Sequence, residues 1–154
     1  MRRNGAVLLA ALAACSGRGA ESSDARFAEV QERGRAAMGV DQYTSTHVFE
    51  SLADGGRIEL QRDSLDPAGI ATIRAHMADI RAAFARGDFR IPGFVHAMTV
   101  PGTATMAEKR GAIRYQVRDL PRGAELRLVT SDTTALRAIH EFLAFQRADH
   151  RAHH

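Results

Sequence analysis

Between residues 43 and 143 the apolar positions change period in a fixed order, from two to about 3.6 and back. Residues 43–50 and 57–62 alternate and flank Ala53-Asp54-Gly55-Gly56, and Asp-Gly between alternating runs is a strong hairpin signal. Counting outward from that four-residue turn places Phe49 opposite Leu60 and Ser51 opposite Ile58. Ile58 and Leu60 define the inner face, so His47 and Phe49 share it and His47 points towards the core. Asp66-Pro67 then opens a helix with a capping side chain followed by Pro at the first helical position. Ile70, Ile73, Met77, Ile80 and Phe84 recur every three or four residues, and Gly87 supplies the stop. A second hairpin follows: Ile113, Tyr115 and Val117 on one strand, Leu126 and Leu128 on the other, Pro121-Arg122-Gly123 between them. Its register sets Val117 against Leu126 inside and Arg118 against Glu125 outside. Asp132 caps a last helix carrying Leu136, Ile139, Phe142 and Leu143.

The order ββα, connector, ββα predicts an α+β domain over residues 41–151. Its architecture is a four-stranded antiparallel sheet with two helices on one face, each burying its stripe against the sheet. Each half carries a hairpin, an Asp cap and a helical histidine (His76, His140), a pattern that an internal duplication would leave. Residues 24–38 offer only Phe27, Val30 and Met38 as apolar contacts and read as a marginal helix or an extension of a tether. Residues 87–110 show no convincing period, yet Phe89, Ile91, Phe94, Val95, Met98, Val100 and Met106 demand burial. Connectors beyond about 12–15 residues are usually functional or disordered, and this one is too apolar for disorder. The expectation is a segment folded back across the sheet and helix, with Thr105 and Glu108 spaced to cap a short helix and with His96, Met98 and Met106 held in place.

The start of the chain, MRRNGAVLLAALAAC, has the three parts of an export leader: Arg2 and Arg3, an apolar run over residues 6–14, and small residues before Cys15. The run is about half the length that spans a bilayer. Leu12-Ala13-Ala14-Cys15 resembles the lipobox of bacterial lipoproteins. That resemblance implies a signal peptide over 1–14, cleavage before Cys15, and acyl chains on its sulfur and on the new amino terminus. The other reading is an ordinary secretory leader with an incidental cysteine. Acylation would anchor the protein in the bacterial cell envelope, facing the periplasm. Ser16 favours the outer membrane over retention in the inner one, and residues 17–24 read as a flexible tether ahead of the domain.

Charge narrows the partners. The formal net charge is +3, but loss of Arg2 and Arg3 with the leader leaves 19 basic against 18 acidic residues. A near-neutral domain lacks the field that steers proteins to phosphates, so no nucleic-acid partner is expected. Cys15 is the single cysteine, which excludes an internal disulfide and, once acylated, a thiolate metal site or a Cys nucleophile. No G-x-S-x-G, HExxH or phosphate-binding glycine loop occurs, and no enzymatic activity is read from the chain.

Four of the seven histidines lie in the predicted elements: His47, His76, His96 and His140. On a helical wheel His76 sits roughly 70° from the middle of its apolar stripe, at the border of the core. His47 faces the same layer and His96 lies in the covering connector, so the three can meet. With Met77, Met98 or Met106 beside them, the donors would be imidazole and thioether, a set that suits copper; imidazoles alone would suit zinc or a non-covalent haem. His140 completes the candidate metal residues His47, His76, His96, Met98 and Met106. His150, His153 and His154 read as a frayed polar tail. The competing reading is a non-catalytic interaction or scaffold module of the envelope, in which the histidines only pack and hydrogen-bond.

Residues 43–151 resemble a family of small bacterial proteins without an established activity. The resemblance rests on His47-Val48-Phe49, Ile73-Arg74-x-His76, Gly87-Asp88-Phe89, His96, Pro101-Gly102 and Met106. It continues through the closing Ala138-Ile139-His140-Glu141-Phe142-Leu143 with Phe145-Gln146 and Asp149-His150-Arg151. Some members carry an aspartate carbamoyltransferase label. That enzyme needs two α/β domains and a phosphate-binding loop, which about 110 residues do not contain. The resemblance implies a single domain and adds no chemistry.

Overall fold

Two antiparallel hairpins build the sheet in a computed structural model that describes residues 16–152, with side chains from residue 22. The leader, Cys15, His153 and His154 lie outside the described residues. Strands β1 (Ser45–Leu52), β2 (Gly55–Arg62), β3 (Ile113–Leu120) and β4 (Gly123–Thr130) run antiparallel in the order β1-β2-β4-β3. The fold is thus α+β, as the pattern predicts. Val117 faces Leu126 and Arg118 faces Glu125, the expected register. In the first hairpin Phe49 pairs with Ile58, and His47 with Leu60, two residues away from the count made on a four-residue turn. Gly55 and Gly56 belong to β2, and only Ala53-Asp54 turn the chain. A slip of two preserves the faces, so His47 still points to the core side. Gly55 has φ +145°, and a Cβ there would overlap the Leu128 carbonyl of β4, so the close approach of β4 requires glycine.

The long helices form where their caps and stripes direct. Helix α2 (Pro67–Ala85) starts at Asp66, whose carboxylate accepts from Gly69 N, and ends before Gly87 at φ +77°. Ile70, Ile73, Met77, Ile80 and Phe84 are all buried. Helix α5 (Thr133–Asp149) starts at Asp132, which accepts from Thr134 N and Ala135 N. Both helices lie on one face of the sheet, and each covers mainly the other half's hairpin: α2 rests on β3 and β4, α5 on β1 and β2. Gly56 admits α5 closely, since a Cβ there would overlap Leu143 Cδ1.

The connector folds as two short helices, α3 (Arg90–His96) and α4 (Thr103–Glu108). Ala97, left-handed at φ 52°, closes α3, and Gly102 at φ 79° leads into α4. Thr105 lies inside α4 and caps nothing; α4 has no side-chain cap, which corrects the expected Thr105–Glu108 box. Gly102 is pressed against the Ala138 carbonyl of α5, and that contact sets the helix start.

Residues 16–38 form one helix, α1 (Ser16–Met38), where a tether and a marginal helix were expected. Its sequence holds no Pro, and Gly39 at φ +74° ends it, with Gly39 N donating to Arg35 O at 2.9 Å. Few apolar residues suffice because arginines dock it. Val30 is fully buried, Arg33 Nε donates to the Val95 carbonyl at 2.8 Å, and the Arg151 guanidinium stacks over Phe27 at 4.5 Å. Helix α1 packs on α3 and is part of the domain.

Ile139, fully buried at the centre of the α5–sheet contact, supplies the test of this core. Ile139→Ala should lower unfolding stability by about 2–5 kcal/mol in urea titrations, whereas exposed Glu141→Ala should change it by less than about 0.5 kcal/mol.

Candidate ligand cavity

Because α5 crosses β1, its C-terminal turn reaches the start of that strand, and a cavity of about 80 Å³ opens between them. The strands contribute His47, Phe49, Ile58 and Leu60 to its floor; α2 contributes His76 and Met77; α3 contributes Val95 and His96; α5 contributes Gln146, and its C-cap residue His150 completes the lining. Helix α1 and the 3-10 turn that follows it cover the top with Gly34, Met38 and Gln42. Of the side chains proposed from sequence, His47, His76 and His96 share this cavity. Met98, Met106 and His140 do not line it.

Each absence has a local cause. Met98 follows the left-handed turn at Ala97 and is exposed, its sulfur accepting from Arg26 Nη2 at 3.7 Å. Met106 is fully buried in the main core under α4. His140 Nε2 lies 2.9 Å from the Leu52 carbonyl and 3.0 Å from that of Gly55, so it ties α5 to the first hairpin's turn. His150, expected in a frayed tail, takes the central place instead. Its ring stacks on Phe49 at 5.4 Å, lies nearly parallel to His47 at 5.5 Å, and meets His96 edge-on at 5.0 Å. The signal was present in the spacing: Ile139, Leu143, Gln146 and His150 continue one helical stripe past its last hydrophobic residue.

The imidazoles differ in what they can offer. His96 is 1% exposed and has both nitrogens engaged: Nδ1 at 2.6 Å from Asp149 Oδ2, Nε2 at 2.8 Å from Gln146 Oε1. A half-turn of the Gln146 amide would present its NH₂ instead, so this partner can serve either state of Nε2. Asp149 also receives Arg26, with Nε at 3.0 Å and Nη2 at 3.1 Å. Burial alone would raise the Asp149 pKa, but the bonds from Arg26 and His96 outweigh it and hold the carboxyl below its ordinary value.

His47 and His150 stand apart. His47 Nε2 and His150 Nδ1 are enclosed and have no hydrogen-bond partner among the described residues. Burial brings the His47 pKa down to about 4, although a hydrogen bond to the Ser45 backbone and the charge of Asp63 pull the other way. Burial, then repulsion from His47 and His96, bring His150 down to about 3. His76, half-buried, is lowered by burial as well, partly offset by Asp79. At neutral pH the cavity therefore presents two uncharged imidazole nitrogens, His47 Nε2 and His150 Nδ1, with thioethers from Met38 and Met77 in the same wall.

No Asp or Glu side chain lines the cavity. Among the described residues, no group of three or more His, Cys, Asp or Glu side chains is arranged to hold a metal ion. The chain matches no family model, no curated protein and no solved structure.

The lowered values set a pH dependence. A buried neutral histidine adds no cost above the ordinary imidazole value of 6.5; below it the unfolded chain gains a proton that the folded one refuses until about pH 4 for His47 and about pH 3 for His150. Stability should therefore fall as pH drops from 6.5 towards 4, by roughly 1.4 kcal/mol per pH unit for each of the two rings. Urea unfolding at a series of pH values would read this slope. It should be shallower in His47→Phe and His150→Phe, and an unchanged slope would show that the rings titrate normally.

Proposed function

We propose that the protein is a lipid-anchored envelope protein that binds one copper ion in the histidine cavity, with His47 Nε2 and His150 Nδ1 as nitrogen donors and Met77 or Met38 supplying sulfur. The observation that carries this reading is the pair of enclosed, unpartnered imidazole nitrogens on two residues that line one small space. Leaving such atoms without partners costs about 1–3 kcal/mol each, a cost that a bound ion would offset. Two imidazoles with a thioether make a soft donor set of low coordination number, which suits Cu(I). A hard cation would find no carboxylate in the lining. Charge points the same way: the Born cost of entering an apolar cavity rises with the square of the charge, so a monovalent ion is favoured over Zn²⁺. A haem macrocycle is many times larger than 80 Å³.

The envelope address draws on residues 1–15. Among the described residues, no helix is long and apolar enough to cross a membrane. Helix α1 is described from Ser16, the residue after Cys15 in the sequence, and its 23 residues span about 35 Å. A membrane-anchored Cys15 would thus be joined to the cavity by the helix that covers it.

Copper binding is tested on untagged protein by competition with a chromophoric Cu(I) chelator. The expected result is one equivalent retained by the parent and by Met98→Leu, and a loss of at least tenfold in affinity in His47→Phe and His150→Phe. Substoichiometric copper that the chelator removes readily, or retention unaffected by both histidine variants, would overturn the reading and leave a module whose histidines only pack and hydrogen-bond, as His140 does.

Anchoring is tested separately with radiolabelled palmitate in cells expressing the whole chain. Label and membrane association should both be present in the parent and absent in Cys15→Ser; an unlabelled, soluble parent would refute the anchor.

A further inference from the structure

The cavity holds a second unsatisfied group, which the copper reading does not use. Gln42 follows α1 in a 3-10 turn and is 5% exposed, and both its Nε2 and its Oε1 are enclosed without a partner. Folded chains avoid burying a carboxamide in this way. Its position is also specifically accommodated. Gly34 lies within α1, where glycine is unfavourable, and a Cβ at Gly34 would overlap Gln42 Nε2. The helix gives up propensity at that point, and the space released is taken by the amide.

We infer that Gln42 makes the cavity a site for a small uncharged ligand bearing a hydrogen-bond donor and acceptor on one planar group, of which a simple carboxamide is the type. A free carboxamide offers an acceptor oxygen and a donor NH₂ side by side, and another carboxamide presents the same pair in reverse. No Asp, Glu, Lys or Arg lines the cavity, so neither an anion nor an organic cation finds a countercharge. Its volume of about 80 Å³ limits the ligand to roughly three to five non-hydrogen atoms. The apolar wall of Phe49, Leu60 and Val95 would receive the ligand's carbon end.

This inference rests on the cavity as a ligand site and not on copper, so it is tested on metal-free protein. In ¹H–¹⁵N spectra, the Gln42 side-chain NH₂ resonance should shift saturably with acetamide and not with acetate or methylammonium. Where the NH₂ probe is deleted, the His47 and His150 ring resonances report binding. By that readout Gln42→Leu should weaken acetamide at least tenfold. Gly34→Ala, which displaces the amide, should do the same while the dispersed backbone spectrum reports an intact fold. Copper retention by Gln42→Leu should match the parent, which separates failure of the amide site from failure of the metal site. Shifts that rise linearly without saturation, as a cavity holding only water would give, or equal responses to all three probes, would overturn the proposal. So would acetamide affinity that survives Gln42→Leu.

Discussion

The packing of α5 across β1 and β2 carries the rest of the structure. Each helix covers the hairpin of the other half, so neither ββα half can bury its apolar face alone. Gly56 lets α5 sit close, Ile139 and Leu143 fill the contact, and His140 fastens the helix to the β1–β2 turn through two carbonyls. The same crossing delivers Gln146, Asp149 and His150 to the start of β1, where they meet His47 and, from α3, His96.

At that junction Asp149 is the electrostatic anchor. It accepts from Arg26 of α1 and contacts His96 of α3, joining α5 to both. Arg33 on the Val95 carbonyl and Arg151 on Asp24 complete the attachment of α1. A helix with few hydrophobic residues is thus held over the cavity by guanidinium groups, which bond through rigid forks and stack on aromatic rings. The opposite face of the sheet is satisfied in a similar manner, with Arg57 of β2 bridging Glu50 of β1 and Glu125 of β4 across strands.

Among the described residues, the enclosed polar side-chain atoms without partners are Tyr115 Oη and those of three residues that line the cavity. His140, His96 and the helix caps are bonded; His47 Nε2, His150 Nδ1 and the Gln42 amide are enclosed without partners and line one small space. Such groups lower stability. Burial also keeps the two imidazoles neutral, the form in which their lone pairs are available to a proton donor or a metal.

Much of the fold was legible from periods and caps. Asp66, Asp132 and Gly87 mark helix ends by local hydrogen bonding and backbone conformation, and alternation assigns strand faces even where a turn is miscounted by two, as in the first hairpin. The facing of His47 and the border position of His76 follow from such local geometry. The connector's two helices and the docking of α1 were not legible, because they depend on Gly102 meeting the Ala138 carbonyl and on arginines meeting Asp149, Val95 and Asp24. By itself, then, the chain determined the four strands, the two long helices α2 and α5, and which side of each faces inward, since those follow from neighbours a few positions away. Only the tertiary structure decided that Met98, Met106 and His140 stay apart while His150, Gln42 and Met38 join the cavity. Those outcomes depend on which helix crosses which hairpin, a choice made by packing between residues roughly a hundred positions apart.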